Sequence, residues 1–112
     1  MEVLIRDVVN KINSYSLNQI EIREYCRERM QERNVEETLL TTTLFSGDLY
    51  YVEEQLKTFV GKPEKRYKLV FKISSKYSLI IIVAFYPKVL KVINVIKTSK
   101  GAEKIWRKKI LK

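Results

Sequence analysis

Histidine is absent from this sequence, and cysteine occurs once, at Cys26. Without imidazole, Ser-His and Cys-His nucleophile pairs have no base, and zinc loses one of its two principal protein ligands. A lone cysteine excludes an intramolecular disulfide and any cysteine-cluster metal site, and it suits a reducing, cytoplasmic compartment. No metal or other cofactor is therefore expected. Glycine and proline are scarce, with three and two residues, and no low-complexity run interrupts the chain. Its 112 residues are expected to form one domain, 1–112, large enough to bury a core unaided. The N-terminus does not read as a secretory leader. The apolar run Leu79 to Tyr86 is shorter than the roughly 20 residues that cross a bilayer, so no membrane partner is expected.

Acidic residues are missing from one half in particular. Residues 1–56 hold 6 Lys/Arg and 11 Asp/Glu, a net of −5, whereas residues 57–112 hold 16 and 2, a net of +14. A split of this kind points to a polyanion-binding surface in the second half, RNA first and DNA next. The glutamates of the first half do not suggest a paired-carboxylate hydrolase. Glu21, Glu24, Glu28 and Glu32 each have an arginine within one helical turn, and no apolar pocket is there to raise a carboxyl pKa.

Patterning changes from helical to alternating near Leu49. Leu4, Ile5, Val8, Val9 and Ile12 form the apolar stripe of a helix over residues 2–13. Ser16 and Gln19 have capping-box spacing and predict a second helix from about Leu17 to Arg33, with Ile22, Cys26 and Met30 inward. Asn34 and Glu37 predict the cap of a third helix, buried through Leu39, Leu40 and Leu44 and ended at Ser46-Gly47. Leu49 to Leu56 reads as an edge strand, and Gly61 to Glu64 as a turn. Three antiparallel strands follow between Arg66 and Lys97, joined at Ser74-Ser75-Lys76 and Tyr86-Pro87-Lys88. The middle one, Tyr77 to Tyr86, is apolar on both faces and belongs at the centre. Alternation places Leu90, Val92 and Ile96 opposite Lys91 and Lys97, and sets Tyr67 and Tyr77 on the core face. A last helix carries Ala102, Ile105, Trp106 and Ile110 on its apolar side and Lys104, Arg107, Lys108 and Lys112 on the other. The fold class expected is α+β, with N-terminal helices and a C-terminal helix packed on a twisted antiparallel sheet of about four strands.

Basic strands with interspersed tyrosines suit phosphate-backbone recognition. Alternation puts Arg66, Lys68 and Lys72 on one face of the first basic strand, and Lys91 and Lys97 on one face of the third. Strand register decides whether those faces coincide.

The segment from Arg23 to Glu37, REYCRERMQERNVEE, resembles the helix–turn–helix opening of a widespread uncharacterised family that is similar in fold to the RelE/ParE toxins. The strands Arg66 to Ile73 and Val92 to Lys97 resemble the sheet of both groups, and the likeness covers about residues 20–110 through short motifs. RelE-type relatives imply ribosome-dependent mRNA cleavage, in which a ribose 2′-hydroxyl attacks the adjacent phosphate. ParE-type relatives imply gyrase inhibition instead. The RelE resemblance implies Lys68, Lys72 and Lys97 as the catalytic cations, with Arg107 on the last helix a weaker match; Arg66, Lys91, Arg107 and Lys108 are the positions expected to hold nucleic acid. It also implies the ribosome as a partner and a small acidic antitoxin. The chain departs from the pattern in having Tyr25 where the family has histidine, no cation on the central strand Ser78 to Phe85, and no tyrosine in the last helix. A non-catalytic nucleic-acid-binding module is the alternative. A protein-interaction domain, with acidic helices and basic sheet serving a homodimer or another partner, is the second.

Overall fold

In a computed structural model that describes residues 2–99, the first apolar stripe forms α1, Glu2–Asn13. Its inward residues Val8 and Ile12 are buried. The Ser16–Gln19 capping box forms, but over a single 3₁₀ turn, Leu17–Gln19. The chain then extends as β1, Ile20–Ile22, before α2 runs over Glu24–Glu32. The single long helix expected from Leu17 to Arg33 is thus three elements. Ile20 and Ile22 are β-branched, and they are held by parallel pairing to a later strand, which outweighs local helical spacing.

Asn34 ends α2 rather than capping the next helix. Its φ of 56° is left-handed, and Val35 N–H reaches Met30 C=O at 2.8 Å while Asn34 N–H reaches Gln31 C=O at 3.2 Å. These two bonds are the Schellman pattern, completed by the burial of both Val35 and Met30. Helix α3, Glu37–Leu44, starts from Glu36 and buries Leu40 and Leu44. Gly47, at φ 81°, turns the chain out of it.

Four long strands follow: β2 Leu49–Phe59, β3 Lys62–Lys72, β4 Tyr77–Tyr86 and β5 Val89–Ser99. The hairpin turn between β2 and β3 sits at Val60-Gly61, both at positive φ. Lys62, Pro63 and Glu64, expected in a turn, therefore lie in β3, opposite Phe59, Thr58 and Lys57. The sheet order is β1-β5-β4-β3-β2, with β1 parallel to β5 and every other pair antiparallel. The architecture is α+β with a five-stranded mixed sheet that does not close, where about four antiparallel strands were expected. Strand β4 is central and β2 is an edge, as the patterning implies. The expected C-terminal helix, with Trp106, Arg107 and Lys108, lies outside the described residues.

Helices α1, α2 and α3 share one core with one face of the sheet. Two cross-strand rows define that face: Val52–Leu69–Ile81–Val95, and Leu49–Phe71–Leu79 ending on Lys97. All the apolar members of both rows are buried in the core with Cys26, Met30 and Leu40. Cys26 packs as a small hydrophobe, and burial pushes its thiol up to about 11.

Candidate nucleic-acid interface

The second face of the sheet follows from the same register. Glu53, Lys68, Ile82 and Asn94 form one row, Gln55 faces Arg66, and Lys72 faces Ser78. Lys91 faces Ala84, which shares the parity of Ile82, so Lys91 joins this surface. Arg66, Lys68 and Lys72 of β3 and Lys91 of β5 thereby share one face, on which Val70 and Ile80, both buried, separate Lys68 from Lys72.

Lys97 is not. Ile82 pairs with Asn94 and Val83 with Val92, so Ile93 is an extra residue that shifts the phase of β5. Beyond it Val95 is buried in place of Ile96, and Lys97 lies opposite Leu79 on the helix-covered face. There its ammonium sits 4.8 Å from the Tyr77 ring centroid. Tyr77, expected in the core, is 44% exposed at this margin. Tyr67 does pack against the core, with its ring 5.1 Å from that of Phe85. Arg107 and Lys108 fall outside the described residues.

The individual cations differ in their surroundings. Lys68 is half-buried, and desolvation lowers its pKa against the opposing pull of Glu53. Lys72 is exposed. The Lys91 ammonium lies 4.9 Å from the Tyr86 ring centroid, so this cation is held over an aromatic face.

The most tightly built part of the surface was not legible as a site in the sequence. Glu64 is buried, and its carboxylate collects four donors. Arg23 binds it in bidentate fashion, Nη1 to Oε1 at 3.0 Å and Nη2 to Oε2 at 2.5 Å. Arg66 Nε donates to Oε1 at 2.8 Å, and the Tyr86 hydroxyl donates to Oε2. The Arg23 hydrogen bonds lead in holding this carboxyl at about 2, well below its usual range, overcoming the cost of burial. With both oxygens doubly occupied, Glu64 has no capacity left to act as a general base. Its role is to fix two guanidiniums. Arg23 is further clamped by the Phe59 ring, whose centroid lies 3.9 Å from its Cζ. Arg66 engages Glu64 through Nε alone, and its terminal nitrogens have no partner among the described residues.

A cleft of about 420 Å³ opens beside this cluster, with Arg23, Tyr25, Lys57, Phe59, Arg66 and Asn94 among its lining. No group of carboxylate, cysteine or histidine ligands able to hold a metal ion occurs among the described residues. No described helix is long and apolar enough to cross a membrane. No protein-family model, curated protein or solved structure matches the chain.

Proposed function

We propose that this chain is a toxin-derived, RelE-like RNA-binding protein that lays single-stranded RNA across the second face of its sheet. The observation that carries this reading is the register that gathers Arg66, Lys68, Lys72 and Lys91 on one surface. Cations spaced along β3 and on β5, with β4 between them, match a polyphosphate track better than a single anion. Affinity for a short single-stranded RNA should therefore fall steeply between 50 and 200 mM salt, the concentrations over which several phosphate contacts cost orders of magnitude. Filter binding across that range tests it, and salt-independent binding or none would overturn the proposal. A small acidic antitoxin is the partner that would neutralise such a face.

One observation favours a catalytic version, ribosome-dependent mRNA cleavage. Burial lowers the pKa of Lys68, which eases proton transfer by a lysine beside a phosphate held by Arg66, two positions away on the same face of β3. In translation of a defined mRNA, wild type and Lys97→Ala should cleave alike, whereas Lys68→Ala should lose about 100-fold in rate. An intact message with unimpeded translation would remove the catalytic version and leave RNA binding standing.

A further inference from the structure

The cationic track does not end in open surface. Near Arg66 it runs into the cleft, whose lining differs from the rest of the face. Two aromatic rings border it, and both are accessible: Tyr25 is 58% exposed and Phe59 39%. Phe59 belongs to the β2–β3 hairpin where it extends past the last β3–β4 pair, Tyr67 with Val83, so the ring stands clear of the core.

Asn94 supplies a directional polar group. Its Oδ1 accepts from Arg33 Nη1 at 3.1 Å and from the Val95 N–H at 2.9 Å. Both partners are donors, so the amide oxygen must face them, and this fixes the Nδ2 amino group as the free end. That amino group has no partner among the described residues, and Asn94 lines the cleft. Arg66, anchored through Nε, presents its terminal nitrogens to the same space. The cleft's 420 Å³ falls within the roughly 300–1,000 Å³ of small-ligand sites.

We propose that this cleft takes one unstacked base of single-stranded RNA, its ring against Phe59 and Tyr25, its edge on the Asn94 amide and its phosphate on Arg66. The inference rests on the RNA-binding reading and adds to it that the protein reads bases, not charge alone. Glu64 acts as a positioning residue: it holds Arg66 directly, and it holds Arg23, which stacks on the Phe59 ring and itself borders the cleft. A duplex keeps its bases stacked and would not enter, so single strands should be preferred.

The test is anisotropy titration of the full chain with short single-stranded oligoribonucleotides of one base each, an abasic strand of equal length and charge, and a duplex. At least one base-bearing strand should bind about 10-fold or more tightly than the abasic strand, the scale of one stacked base. Phe59→Ala and Tyr25→Ala, both exposed positions, should bring that ratio toward one, and Phe59→Trp should keep it. Lys72→Ala should weaken every strand alike and leave the ratio unchanged. Equal affinity of wild type for base-bearing and abasic strands would overturn the base site while leaving backbone binding intact. A ratio that survived both aromatic-to-alanine changes would place the base elsewhere and overturn it too. Failure to bind any strand at low salt would overturn the RNA-binding reading along with it.

Discussion

Removing the Glu64 carboxylate would strand two guanidiniums in a half-dry setting, since the Arg23 and Arg66 side chains are only 14% and 19% exposed. Glu64→Ala should therefore cost about 3 kcal/mol, the lower end for breaking a buried ion pair, as measured by urea unfolding. Glu64→Gln keeps part of the hydrogen bonding and should cost less. The same residue sets an acid limit. Its folded pKa, about 2, lies below the ordinary 4.5, so the unfolded chain takes up a proton first as pH falls. The stabilisation is complete above about pH 4.5, shrinks as pH drops below it and is gone once pH passes through about 2. In Glu64→Gln that portion of the acid dependence should vanish. The sequence did hold a signal for this position: residues 57–112 contain only two acidic residues, and Glu64 is one of them. An isolated anion among sixteen cations is more readily explained as an internal counter-ion than as surface charge. Assigning it to a turn hid that, because the neighbouring Gly61 and Pro63 dominate the local pattern.

The strands β3 and β5 make the corresponding test at the level of elements. Lys72→Ala should lower the magnitude of the salt slope of RNA binding by about 0.7, the increment for one phosphate on a single strand. Lys97→Ala should leave the slope unchanged, because Ile93 turns that side chain to the helix-covered face. Equal effects of the two changes would contradict the division of faces. Strands β3 and β4 were legible, since alternation from Arg66 to Leu69 and the doubly apolar Tyr77 to Tyr86 follow from having one or two buried faces, although β3 is buried on both faces at Val70 and Phe71. The phase shift at Ile93 was not, because a bulge depends on the partner strand and Ile93 looks like any other strand residue. Strand β1 escaped for a related reason. Its three residues carry no usable period, and Leu90 to Val92 of β5 define it from far along the chain. Cys26 and Met30 kept their inward phase in α2 even though the helix begins later than their spacing suggested. The cleft needed all these elements at once, and so no single segment announced it.

Taken whole, the molecule is an antiparallel meander, β2 through β5, closed at one edge by a short parallel strand from the other end of the sequence. The meander's contacts are local and should form early, whereas β1 must close a long loop before its pairing is gained. Native-state hydrogen exchange should report this as a lower opening free energy for the Arg23 amide, which donates to Val92 C=O, than for those of Ile80 to Val83. Indistinguishable values would show that the edge strand is fully cooperative with the sheet. Ribosomal synthesis gives the parallel edge a temporal meaning. The N-terminal helices emerge first, yet the strand between them has no partner until Leu90 to Val92 have been made. Arg23 likewise waits for Glu64. The nascent chain therefore cannot complete its sheet until its last described strand has been made.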